Sequence, residues 1–106
     1  PLMNELRNSP RFMRPEDLAV LRKLTDDIYQ DFTSRLNSRF TNLTDVDIQL
    51  CILIKLGFSI SQIAILTAIS PTSVSQQKSR TKKRIQQQEP DCFAEGETLD
   101  LWLRKF

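Results

Sequence analysis

The chain has no histidine, and only two cysteines and two glycines among its 106 residues. Without histidine a Cys/His zinc site is excluded, and two cysteines alone cannot close a tetrahedral site. The pair is also too small for a disulfide framework, and Cys51 falls inside an apolar helical run, where a small core residue is expected. So little glycine leaves no glycine-rich phosphate loop, and together with long apolar-periodic runs it favours helices over hairpins. No serine or cysteine stands in a nucleophile setting, and no paired carboxylates share an apolar pocket, so neither catalysis nor a cofactor is expected. Long hydrophobic runs are missing as well. The longest uninterrupted one, Leu50–Ile54, is far too short to span a bilayer, and no membrane contact is expected of this segment. No signal peptide is visible, which makes a reducing cytoplasm the expected compartment. The chain opens at Pro1 in mid-pattern, as the C-terminal piece of a longer protein would.

What is present is one domain's worth of ordinary soluble composition, 40% hydrophobic and 26% charged, enough for one modest core. The formal net charge of +2 rules out a polycation. Its distribution says more. Residues 70–88 carry Lys78, Arg80, Lys82, Lys83 and Arg84 with no acid, whereas residues 89–106 set Glu89, Asp91, Glu95, Glu97 and Asp100 against only Arg104 and Lys105. The positive field is thereby concentrated on one segment, as a nucleic-acid contact requires.

Three regions follow. Residues 1–42 form an N-terminal helical scaffold: a short amphipathic stretch with Leu2, Met3 and Leu6, then one long helix from about Glu16 to Ser38. Pro15, Glu16 and Asp17 mark its entry, and Leu18, Leu21, Leu24, Ile28, Phe32, Leu36 and Phe40 recur by threes and fours as an apolar stripe. That stripe is either core packing, with Ile28 inside, or a dimerisation or signal-transmitting face; Asp26, Asp27 and Asp31 read as a solvated side. Residues 43–88 form the helix-turn-helix unit. Thr44 and Asp47 make a capping box, and Gly57 supplies a left-handed stop. Ser59 or Ser61 caps a second helix with Ile63, Ala64, Leu66 and Ile69 buried, and Ser70 with Pro71 starts a third. Residues 89–106 are a polar, acidic linker, then a short helix capped by Thr98 with Leu99, Trp102, Leu103 and Phe106 on one face.

At 100° per residue, Val74, Thr81 and Ile85 of the third helix share one face and must be core. Opposite and on the shoulders lie Thr72, Ser75, Gln76, Ser79 and Arg80, the expected base-facing set: glutamine suits adenine, arginine suits guanine, and the small hydroxyls allow close approach. Lys82, Lys83 and Arg84 are expected on phosphates, with the start of the second helix near Ser61 and Gln62 supplying amides.

The combination Leu43-Thr44…Asp47, Leu50, Leu53-Ile54, Gly57, Ser59, Ile63-Ala64, Ile69-Ser70-Pro71, Val74, Ser79-Arg80 and Arg84-Ile85 resembles the LuxR/NarL (GerE-type) helix-turn-helix. The long helix before LTxxD, the LIKLGFS string and the final TLDLWLRKF are similar to the C-terminal domains of Bacteroidetes regulators that carry tetratricopeptide-type repeats upstream. This resemblance implies an all-α fold, a long N-terminal helix packed on the LuxR-type bundle with a short C-terminal helix. It also implies sequence-specific double-stranded DNA binding in the major groove, as the effector domain of a bacterial transcriptional regulator. It places the base-facing sites on Ser75, Gln76 and Ser79. A homodimer and contact with RNA polymerase are compatible with it. Thr67 and Thr81 stand where the family usually has leucine and isoleucine, which implies a less apolar core. Gln77 replaces a frequent histidine, which implies an altered phosphate contact. The family's fourth helix follows sooner, and here the last helix is expected to pack back on the N-terminal one rather than dimerise. A sigma-factor region that binds the −35 promoter element has a similar pattern, and a helical protein-interaction module with a merely solubilising basic helix is the third reading.

Overall fold

The computed structural model describes all residues, Pro1–Phe106, and contains seven α-helices and no strand. They are α1 (Leu2–Asn8), α2 (Pro15–Ile28), α3 (Phe32–Arg39), α4 (Asp45–Lys55), α5 (Ile60–Thr67), α6 (Pro71–Gln88) and α7 (Leu99–Lys105). No helix is long and apolar enough to cross a membrane. The all-α expectation holds; the single long N-terminal helix does not.

That helix is broken between Ile28 and Phe32. Gln30 and Asp31 both have left-handed backbones (φ 46° and 56°), and the Asp31 amide reaches back to the Asp26 carbonyl at 2.9 Å, the six-to-one bond of a Schellman ending. Two further groups hold the break. The Asp26 carboxylate accepts from the Thr33 amide and hydroxyl, both at 2.7 Å, and the Arg35 guanidinium donates to the Tyr29 and Gln30 carbonyls. Asp26 therefore caps α3 from outside its own helix and is no solvated bystander. The stripe changes phase at the same place: Leu21, Phe32, Leu36 and Phe40 are fully buried, but Ile28 is 48% exposed. Ile28→Glu should accordingly leave the far-ultraviolet spectrum intact and move Tm by only a few degrees, since exposed substitutions usually cost within about 0.5 kcal/mol. A fall of more than about 10 °C would put Ile28 back in the core.

The caps and stops of residues 43–88 are realised, but Ile69, expected in the core, lies past the end of α5 and is 43% exposed. Thr44 Oγ1 accepts from the Asp47 amide while Asp47 accepts from the Thr44 amide, closing the box at the start of α4. Gly57, at φ 87°, lets the Phe58 amide reach the Leu53 carbonyl at 3.1 Å. Of the two candidate serines, Ser59 is the cap of α5, in a reciprocal box with Gln62. α5 ends at Ala68, left-handed at φ 57° without being glycine, and Ile69 returns its amide to Ala64. Ser70 then caps α6, with Pro71 in the first position.

α5 and α6 pack on one another, and α4 packs against α2, α3, α6 and α7. The centre of α4 is buried from Leu50 through Ile54, so a short apolar run here reads as a helix enclosed on several sides. α7 lies on α4 and α6, and its aromatic end reaches the N-terminal scaffold at Phe32 and Phe40. Trp102 stacks on Phe93 and Phe106, and its indole N–H donates to the Cys92 carbonyl at 3.0 Å. Lys55 fastens α7 from below, its ammonium donating to the Leu103 carbonyl at 2.7 Å. Phe93 and Cys92, both partly buried, thus pack the polar, acidic linker against the core.

Candidate nucleic-acid interface

The candidate surface is the outer arc of α6. Val74, Gln77, Thr81 and Ile85 form its buried ridge. Thr72, Ser75, Gln76, Ser79 and Arg80 are all exposed, together with Lys83 and Gln87. Periodicity therefore predicts the two sides of α6 well. It misses Gln77, which is 9% exposed and points inward, so the histidine-like phosphate contact is not available to it. A signal was there: Gln77 follows Val74 by three residues and belongs on the flank of the same face.

The cations differ more from expectation. Arg84 donates from one nitrogen to both oxygens of the fully buried Asp47, at 2.9 and 2.8 Å, so it is an internal ion-pair partner. Lys78, its side chain mostly buried, pairs with Asp100 at the start of α7, at 3.0 Å. Lys82 lies over the Phe93 ring and donates to the Glu97 carbonyl at 2.5 Å. Arg80 Nη2 donates to Gln77 Oε1 at 2.9 Å. Lys83 has no ion-pair partner and is exposed. Since the partners of Arg80 and Lys82 are neutral, three cations on this helix, Arg80, Lys82 and Lys83, keep an uncompensated charge. Two of the expected phosphate ligands are thereby revised: Arg84 faces inward, and Lys82 is tethered on the α7 side.

At the start of α5 the side chain of Ser61 is exposed, but Gln62 is engaged at every polar group. Its amide donates to Ser59 Oγ, its Oε1 accepts from the Ser59 amide, and its Nε2 donates to the Arg7 carbonyl. Any anion there meets the first amides of the helix rather than the Gln62 side chain. No hydrogen bond joins Ser61 or Gln62 to α6.

Behind the arc lies a buried polar hub. Asp47 accepts from the Thr44 amide and hydroxyl, the Thr81 hydroxyl at 2.5 Å, Gln77 Nε2 at 2.8 Å and Arg84. Burial pushes its carboxyl up, but the Thr81 hydroxyl, the two Thr44 groups and Arg84 outweigh that and hold it below the ordinary carboxylate range. No buried side-chain nitrogen or oxygen is left without a partner. Thr81 stands in the core for this reason: its hydroxyl has a carboxylate to serve. Thr67 spends its own hydroxyl on the Ile63 carbonyl one turn back.

Burial raises both free thiols, Cys51 far above its usual range and Cys92 less so, which leaves neither as a ready thiolate. No three His, Cys, Asp or Glu side chains converge as a metal-binding group. Comparison of the chain with protein-family models, curated proteins and solved structures found no match.

Proposed function

We propose that the chain binds double-stranded DNA sequence-specifically, as the effector domain of a bacterial transcriptional regulator, by laying α6 in the major groove. The observation that carries this reading is the exposed arc Thr72–Ser75–Gln76–Ser79–Arg80–Lys83. It offers short hydroxyls for close approach, an amide and a guanidinium for base edges, two uncompensated cations and no acid. The α5–turn–α6 unit, its turn only Ala68–Ser70, supports it as a short helix pair of the size that docks on DNA. So does the likeness of residues 43–85 to the LuxR/NarL-type pattern. Two copies on two half-sites would supply the affinity that three free cations lack.

The cleft beside α6 favours a second reading. Val46, Leu50, Ile63, Ile69 and Val74 line a cavity of about 220 Å³, with Val46 and Ile69 partly exposed. A helical protein-interaction module could use that cleft and leave the arc as a solvated surface.

Salt separates the two. Three charges neutralised against the duplex, those of Arg80, Lys82 and Lys83, at a slope of roughly −0.9 each imply an affinity loss of about fortyfold between about 50 and 200 mM salt. Fluorescence anisotropy with a random duplex should show it. Lys83→Ala should weaken every sequence about equally and reduce the slope by about one. Binding that is flat in salt would favour the interaction module.

A further inference from the structure

Arg80 is exposed, yet its guanidinium is not left to wander. The constraint runs from the core outward and has only one chemically consistent direction. The Asp47 carboxylate, fully buried, can only accept hydrogen bonds. Gln77 must therefore turn its amide nitrogen toward Asp47 Oδ1, at 2.8 Å, with Thr81 Oγ1 at 3.5 Å beside it. The amide oxygen is then forced to the far side, where Arg80 Nη2 meets it at 2.9 Å. The reversed amide would set oxygen against carboxylate and nitrogen against guanidinium, so the carboxylate dictates the orientation. Thr44 and Arg84 fix Asp47 in turn.

One N–H of the Arg80 fork is used in this way, and the others remain on the exposed arc. A planar fork held from behind suits two acceptors lying side by side, which in the major groove is the guanine O6/N7 edge. We propose that Gln77 is a positioning residue, through which the buried Asp47 sets the Arg80 guanidinium for bidentate reading of one guanine. The role rests on the DNA-binding reading above and assigns it a base and a second-rank determinant.

The test uses the full chain, duplexes selected from a randomised pool, and four variants. Arg80→Ala should reduce the preference for guanine at one position by about tenfold or more. Gln77→Met keeps the length and removes the hydrogen bonds to Asp47 and Thr81 and the one from Arg80. It should reduce the same preference at the same position several-fold while leaving random-duplex affinity and its salt slope within about twofold. The double variant should be no worse than Arg80→Ala, because the two side chains act as one unit. Thr25→Ala is the control for a purely structural effect: it opens a gap under α2, makes no contact in the Asp47–Gln77–Arg80 relay, and should lower Tm while keeping the base preference. Additive losses, or losses at different positions, would overturn the relay while leaving DNA binding intact. An Arg80→Ala effect equal on all sequences would make Arg80 a phosphate ligand and overturn it too. Wild-type chain that binds no duplex at all would overturn the proposed function, and this role with it.

Discussion

Asp47→Ala should remove a large part of the fold's stability. The change removes a carboxylate that serves four residues, opens the capping box at Thr44, and leaves the Gln77 amide and the Thr81 hydroxyl buried without their acceptor. It also strips the half-buried Arg84 of its counter-ion. Breaking one side of a buried charge network costs on the order of 3–5 kcal/mol, against a total of about 5–15 kcal/mol for a domain. Thermal melts followed by circular dichroism should show Tm falling by well over 10 °C. A fall of under about 5 °C would mean that water replaces the carboxylate. Arg84→Ala should cost less, because a third of that side chain is exposed and Asp47 keeps its other donors.

Four carboxylates, one of them the hub's Asp47, set the response to acid. Asp47, Asp17, Glu89 and Glu97 are all held below their ordinary range. Asp17 is held by Arg11 and the Arg14 amide, Glu89 by Arg39, and Glu97 by Lys105. Between the folded and unfolded values the unfolded chain binds more protons. The stability these carboxylates contribute is therefore complete above about pH 5 and drains away as pH falls through the lower folded values. With no histidine to titrate, Tm should be flat from about pH 5 to 8 and drop below about pH 4.

Val74→Asp is expected to abolish the fold. Val74 is fully buried where α6 meets the cleft formed by Leu50, Ile63 and Ile69, and no cation faces it there. An unpaired carboxylate in that setting should cost more than about 4 kcal/mol. Its place in the first turns of α6 gains it at most about 1 kcal/mol from the helix dipole, which cannot offset the loss. Ser75→Asp, one residue on and exposed, should fold normally, and the pair isolates burial from charge. A cooperative melt for Val74→Asp near the wild-type Tm would show that the cleft admits water.

Signals carried by neighbouring residues were legible in the sequence. Thr44 with Asp47, Gly57, Ser70 with Pro71, and Thr98 each needs only partners within a few positions, and each became the cap or stop its local pattern implied. The break in the N-terminal helix was not legible, because left-handed backbones usually announce themselves as glycine and here fall on Gln30 and Asp31. What stabilises that break, Asp26 on Thr33 and Arg35 on two carbonyls, becomes visible only once the chain has turned. The candidate surface divides the same way. Helical period sorted Val74 and Ile85 from Thr72, Ser75, Gln76 and Ser79. It could not see that Arg84 is claimed by Asp47, 37 positions earlier, or Lys78 by Asp100 on a later helix. Counting charges along a helix gives an upper bound on its field, and tertiary partners decide how much of it remains.

The proposed function requires that the α6 arc read base edges. Selection from a randomised duplex pool, carried out side by side with wild-type chain and Gln76→Ala, tests it most directly. Gln76 is exposed and off the Val74–Thr81–Ile85 ridge, so its loss should not disturb the fold. Wild type should enrich a convergent motif. Gln76→Ala should bind random duplex nearly as well but lose on the order of 1–3 kcal/mol on that motif, with relaxed preference at one base pair. A selected motif that Gln76→Ala binds with undiminished affinity, or a pool that never converges, would contradict it.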